Sequence, residues 1–365
     1  MPPCLRLRHA LNKPLRHGRV VSCAIRLAAP FLKNAIVPHV FWAPLTAFVV
    51  ALATIAWLAR SRISALALDH PTPRSLHGSP VPRTGGLGLH AGVLGGWLII
   101  APHFSPALWI GLGLVLAVSF ADDLRGLPVA VRLGTHLCAA ATLSAGLLFG
   151  EFGAGATLLA ALAVTWLTNL YNFMDGSDGL AGGMTAIGFS FYGSAASLAG
   201  AAELAALSFS VAAAAAAFLV FNFHPARVFL GDAGSIPLGF LAAAFGLLGW
   251  LQNSWPWWFP VLVFSAFIVD ASVTLARRLV RGERVWEAHR DHYYQRLVQM
   301  GWGHRRTAVA EYALMLVSGL LALATLSAAA AGQTVALIVA AAVYAAVIAW
   351  VERAWRRRTA TGAAR

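Results

Sequence analysis

The stretch NLYNFMDGSDGLAGG, residues 169 to 183, sets two asparagines and two aspartates three residues apart at the end of an apolar run. In an unbroken helix each step of three drifts by about 60°, so Asn169 and Asp178 would face opposite ways. One continuous helix therefore does not gather these groups. Gly176, Gly179, Gly182 and Gly183 loosen the backbone after Asp175. The expected arrangement has Asn169 and Asn172 closing a span on one face while Asp175 and Asp178 line the loop beyond it. Carboxylate and amide oxygens suit a hard cation such as Mg²⁺, which is usually held by one or two carboxylates together with substrate phosphates.

Other strings supply matching parts. In FADDLRGLP, the adjacent Asp122 and Asp123 follow an apolar span, and like charges so close raise the proton affinity of one unless a cation shares them. In FNFHPARVFLGDAGS, Asn222 ends a span, Pro225 breaks the helix, and Gly231 to Ser235 precede the next span. Backbone amides at that restart are expected to meet phosphate oxygens, leaving Asp232 to hold the ion. The basic loop 276–306 carries His289 and His292 three apart on an expected surface helix, with Trp286, Tyr293 and Tyr294 at interfacial depth. Its plain alternative is an amphipathic segment lying on lipid. For the two histidines, beside Arg290 and Arg296, phosphate contact is expected, whereas zinc lacks a third soft ligand at suitable spacing. The segment 69–88 cannot be helical through Pro71, Pro73, Pro80 and Pro82. It reads as a stiff loop whose Arg74, His77 and Arg83 grip an anionic head, with a plain connector as the alternative.

These loops must be held by membrane spans. Of 365 residues 59% are hydrophobic and only 11% charged, far from a soluble domain. Apolar runs long enough for a bilayer recur throughout, with no soluble block of domain size between them. The expected spans are 40–59, 86–101, 107–121, 132–149, 156–171, 184–200, 203–221, 236–251, 257–275, 308–331 and 334–351, which makes an all-α integral membrane protein, a polytopic bundle of about eleven transmembrane helices. A formal charge of +13 does not indicate nucleic acid, because every Arg after residue 36 falls at alternate junctions and the intervening ones carry no Lys or Arg. That is the positive-inside pattern, with catalytic loops facing the cytoplasm. Seven aspartates, 69, 122, 123, 175, 178, 232 and 291, share the arginine-bearing side, and Asp270 alone lies within a span.

Residues 1–36 form a basic leader with five Arg and two Lys, expected to be disordered or an artefact of the start site, since a translocated end is seldom so basic. Residues 37–352 form the transmembrane domain, and residues 353–365 a basic cytoplasmic tail. Cys4, Cys23 and Cys138 have no paired spacing, which argues against a disulfide framework or a zinc site. Small-residue runs such as 212–217 let helices approach closely in lipid.

Taken in order, DHPTPRSLHGSPVPRTGG, FADDLRGLP, NLYNFMDGSDGLAGG, FNFHPARVFLGDAGS and AHRDHYYQRL resemble the polyprenyl-phosphate N-acetylhexosamine-1-phosphate transferase superfamily (glycosyltransferase family 4) over about residues 40 to 350, closest to its WbpL-like O-antigen-initiating branch. The resemblance implies transfer of a sugar 1-phosphate from a UDP-N-acetylhexosamine to undecaprenyl phosphate in the bacterial inner membrane, releasing UMP. It implies Mg²⁺, with Mn²⁺ as a substitute, on Asp232 and Asn172, and Asp122 and Asp123 beside the attacking lipid phosphate, joined in the catalytic loop set by Asp175. It implies Asp178, Asn222 and Phe229 around the uracil, with Phe229 stacking, and His289, His292 and Arg83 on the diphosphate. Thr72 stands where Asn is commoner, and the basic leader also departs from the family.

Two alternatives are weighed. A CDP-alcohol phosphatidyltransferase also carries DxxDG, but here Ala181 is followed by Gly182 and the next acid is Glu203, so its pattern fails. A nucleotide-sugar or ion transporter would place polar groups near the midplane, where Asp270 and a few His or Asn are the candidates. The sequence leaves the sugar and the oligomeric state open, a homodimer included.

Overall fold

A computed structural model describes residues 41–62, 67–69, 71, 80–287 and 289–362; Thr72, Arg74 and His77 lie outside the described residues. The helices are α1 (Phe41–Arg60), α2 (Gly85–Ile100), α3 (Pro106–Arg125), α4 (Val129–Phe173), α5 (Leu180–Leu198), α6 (Ala202–Asn222), α7 (Asp232–Leu251), α8 (Trp258–Val263), α9 (Ser265–Val280), α10 (Tyr293–Leu297), α11 (Gly303–Ala324) and α12 (Ala330–Gly362). Among the described residues seven helical stretches are long and apolar enough to cross a membrane, and the chain is a polytopic all-α membrane protein. Strands β1 (Leu68–Asp69) and β2 (Val81–Pro82) pair antiparallel, Leu68 opposite Pro82 and Asp69 opposite Val81. They pinch together the ends of the segment expected to be loop throughout.

The spans read from the sequence reappear in order, with local differences. The pair 132–149 and 156–171 belongs to the 45-residue α4, broken where Gly153 adopts φ 72°, ψ −176°, values open to glycine alone. The pass expected at 257–275 is α8 and α9 with a kink at Phe264 (φ −97°, ψ 15°). Helix α3 starts on Ser105, whose side chain accepts from the Ala107 amide with Pro106 next in line, and stops at Gly126, the usual signals for each end.

Helix α7 is the centre of the bundle: 78% of its apolar window is buried, against 17% for α4. It packs on α2, α3 and α4. The start of α2 is tied to the turn before α7, since Gly85 and Gly86 donate their amides to Phe229 O and Leu230 O, both at 2.9 Å. A Cβ on Gly86 would lie 2.4 Å from Gly234 Cα, so these backbones cross where only glycine fits. The string PRTGG thus sets the height of GDAGS.

The surface helix expected through His289 and His292 is not there. Residues 289–292 are irregular and the helix begins at Tyr293, where residues 293–297 are all buried. Tyr293 and Tyr294 therefore sit inside the protein, not at an interface. Arg296 pairs with Glu352 at 2.8 Å and stacks on Tyr293 and Trp355, which turns it toward α12 and away from the acidic loops.

Candidate active site

The acids of three loops meet at one end of the bundle. Asp122, near the end of α3, accepts from the Leu127 amide and pairs with Arg132 at 2.7 Å. The same guanidinium lies 3.3 Å from Asp232 at the start of α7, so Arg132 bridges two aspartates far apart in sequence. Asp123 accepts from the amides of Asp232 at 3.0 Å and Ala233 at 2.8 Å. The amides expected to be open to phosphate are thus bonded to Asp123, because Gly231 has no side chain to cap α7 and a neighbouring carboxylate fills that place.

Asn172 closes α4 as expected and its amide oxygen accepts from Ser235 Oγ at 3.2 Å. Asp175 follows in the turn. Burial, then repulsion from Asp232 and Asp123, raises the Asp175 carboxyl well above its ordinary value. Asp178 accepts from His224 Nδ1 at 2.6 Å and the Ala226 amide at 3.1 Å. Asn222 accepts from the Gly179 amide at 2.9 Å and donates to Val228 O at 3.0 Å, which fastens the Asp178 loop to the loop before α7. Arg83 pairs with Asp69 at 2.5 Å.

Two cavities open here. A polar one of about 210 Å³ is lined by Arg83, Asp178, Asn222, Phe229, Asp232 and His304, among others. The second, of about 670 Å³, runs between the two halves of α4 and α9, with Leu133, Leu162, Trp166 and Leu275 on its walls and His289 and His292 near its end. Asn172, Asp175, Gly176 and Gln295 line both. Leu133 and Leu162 are exposed on the outer surface, so the larger cavity is a groove open toward lipid at the side of the bundle. Burial, with His292 and Arg278 nearby, pushes His289 down to about 4, which leaves it neutral near neutral pH until an anion joins it.

Most of the residues singled out in the sequence are therefore together. Asp291 is not among them, being drawn to Arg278 at 2.6 Å. Asn169 lines the groove, accepting from His136 Nδ1 at 3.1 Å. Several lining residues were missed. Arg132 was visible only as a topology marker, and His304 lies far from any acidic string. Gln295 and His136 carry no spacing signal; His136 is buried and its Nε2 has no hydrogen-bond partner among the described residues.

The polar cavity is lined by Asn172, Asp175 and Asp232, oxygen donors of the kind a hard divalent cation takes. Among the described residues no three His, Cys, Asp or Glu side chains close into a ready-made ligand cluster.

Residues 105–249 match the glycosyl transferase family 4 model. A probable undecaprenyl-phosphate N-acetylglucosaminyl 1-phosphate transferase of Bacillus subtilis is 29% identical over 77% of this chain and 85% of its own. Residues 105–249 thus form a glycosyl transferase family 4 segment, the superfamily the motifs resembled. A decaprenyl-phosphate N-acetylglucosaminephosphotransferase of Mycolicibacterium smegmatis is 28% identical to this chain over 73% of it and 77% of the relative. A phospho-N-acetylmuramoyl-pentapeptide-transferase of Moorella thermoacetica is 35% identical over 45% of the chain and 50% of the relative. The matched family 4 segment holds every acid from Asp122 to Asp232, whereas Arg83, Asp270, His289 and His292 come from outside it.

Proposed function

We propose that this family 4 transferase moves an N-acetylhexosamine 1-phosphate, of the GlcNAc, FucNAc or QuiNAc type, from its UDP-sugar to undecaprenyl phosphate. The products are undecaprenyl diphosphate-sugar and UMP, and the step is the first at the membrane in making O-antigen or another cell-envelope polysaccharide. The observation that carries this reading is the meeting of a polar pocket with a lipid-facing groove at Asn172, Asp175, Gly176 and Gln295. A water-soluble donor and a long-chain acceptor need unlike sites that touch at their phosphates.

In this reading Phe229, Asn222 and Asp178 receive the uracil, Arg83 and the two histidines receive the diphosphate, and the polyprenyl chain lies along Leu133, Leu162 and Trp166. Alignment and charge cancellation dominate phosphoryl transfer. Mg²⁺, or Mn²⁺ in its place, supplies when bound the positive charge that the donor phosphates require, and Asp232, Asn172 and Asp175 are the residues that would hold it. Asp122 keeps Arg132 in place at the acceptor side, while Asp123 fixes the start of α7. A phosphate monoester with second pKa of about 6 is already largely dianionic at neutral pH, so direct attack needs little base. The new bond joins a lipid phosphate oxygen to the sugar-bearing phosphorus, whose bond to the bridging oxygen breaks, that oxygen keeping the electron pair and leaving as part of UMP. The pocket end carries the arginine-rich junctions, which supports a cytoplasm-facing site in the bacterial inner membrane.

The test is UMP release by purified protein in detergent. Release is expected with UDP-sugar, undecaprenyl phosphate and Mg²⁺ together, to vanish with EDTA, and to return with added Mg²⁺. UMP formed without lipid acceptor, or phosphate trapped on the enzyme, would overturn direct transfer. Comparing UDP-GlcNAc, UDP-FucNAc and UDP-QuiNAc identifies the sugar.

A further inference from the structure

Asp270 lies in helix α9, part of a pass expected from the sequence, and is only 7% exposed. A carboxylate in a span costs about 2.5–3.5 kcal/mol on insertion scales, and such groups ordinarily serve a partner. Its Oδ1 accepts from His292 Nδ1 at 3.2 Å, the Tyr293 amide at 2.9 Å and Thr274 Oγ1 at 3.2 Å, and its Oδ2 accepts from the Tyr294 amide at 3.0 Å. Three of those donors belong to residues 292–294, and no Arg or Lys among the described residues pairs with it.

The result at His292 is a ring with one orientation. The Nδ1–H faces Asp270, and the ring lies beside Phe173 at 6.3 Å, Tyr294 at 5.9 Å and His289 at 4.8 Å between centroids. The other nitrogen, Nε2, is left for the groove that His292 lines. Tyr294, gripped by the same carboxylate, donates its hydroxyl to Phe173 O at 3.1 Å and packs so closely on the Asp175 turn that a Cβ on Gly176 would lie 2.2 Å from it. One buried charge thus ties α9 to the histidine and, through Tyr294, to the turn where the two cavities join.

We propose that Asp270 is a positioning residue for the transfer reaction. It acts through His292, holding the Nδ1–H form of the ring so that Nε2 faces the phosphate end of the groove. The same logic orients imidazoles elsewhere, where a buried carboxylate fixes tautomer and direction without taking the proton. The inference rests on the transferase reading given above.

Asp270→Asn, His292→Ala and the double variant test it by UMP release from the full chain in detergent. Asn keeps one acceptor oxygen for the Tyr293 and Tyr294 amides and turns an NH₂ toward the other, so the melting temperature should fall by a few degrees with the fold retained. Asp270→Asn is expected to lower kcat by about tenfold with both KM values within about twofold, and to add less than about twofold in the His292→Ala background, as residues acting as one unit do. Unchanged kcat, or losses that multiply in the double variant, would overturn it, since an effect on the fold alone does not depend on His292. If Asp270→Asn does not accumulate, Asp270→Glu runs the same cycle. Histidine nitrogen NMR without substrate separates this inference from the reaction: loss of the His292 Nδ1–H form in Asp270→Asn supports it even if no UMP is released by wild type, and retention of that form overturns it.

Discussion

Asp123 offers the sharpest test of how the site is built. Its two carboxylate oxygens accept the Asp232 and Ala233 amides at 3.0 and 2.8 Å, and no side chain next to α7 does so. Hydrogen bonds to a charged acceptor contribute about 1.5–3 kcal/mol each, and for a partly exposed carboxylate the lower end applies, so Asp123→Ala should cost about 3 kcal/mol. Asp123→Asn keeps one acceptor oxygen and turns an NH₂ toward the second amide, which predicts roughly half that loss. At roughly 2 °C per kcal/mol for a chain of this size, the melting temperature in detergent should fall by about 3 °C for Asn and about 6 °C for Ala. UMP release should fall in the same order, because Asp232 rides on the same turn. A reading of Asp123 as a pure reaction group predicts otherwise: stability unchanged in both variants, with activity lost equally. Finding that pattern would refute the cap.

Two further outcomes follow from the geometry. Gly86→Ala should abolish most activity, since its Cβ would meet Gly234 at 2.4 Å, whereas Gly113→Ala, with nothing within 4 Å, should be neutral or add up to about 1 kcal/mol of helix stability; UMP release and melting curves distinguish them. The Asp175 carboxyl is raised by burial and an ion joins its deprotonated form, so apparent Mg²⁺ affinity should increase as pH rises through its titration, by up to about tenfold per unit for one coupled proton. Mg²⁺ titrations of UMP release at fixed pH check this, and a pH-independent midpoint would remove Asp175 from the ion site.

The spans were legible because a bilayer demands long apolar runs, and α4 shows where that reading loses detail: Gly153 breaks the helix without a polar stretch to mark it. The convergence of Asp122, Asp175, Asp178 and Asp232 was legible from their shared side of the membrane. What could not be read is which charges are spoken for. Arg296 looked like a phosphate ligand beside HRDH, yet Glu352, 56 positions later, holds it. Arg132 looked like a topology marker and instead bridges Asp122 and Asp232. Such pairings depend on helix rotations that local spacing does not set.

A common device explains much of what was missed. Helix α7 has no local side chain accepting its first amides, although Asn, Asp, Ser or Thr commonly stands there, and at α10 a local capping box of His292 and Gln295 is supplemented from afar. Asp123 from α3 caps α7, Asp270 from α9 caps α10, and Asp178 accepts the Ala226 amide in the loop before α7. Each bond satisfies a main-chain donor without a partner in its own element and, by reaching across elements, also fixes one loop of the site against another. Local rules find a cap by looking one to three residues away. Here the acceptors lie from 23 to 110 residues distant, so the aspartates read as chemistry in the sequence divide in the fold between those that build the basin, Asp122 among them, and those, Asp175 and Asp232, left facing its contents.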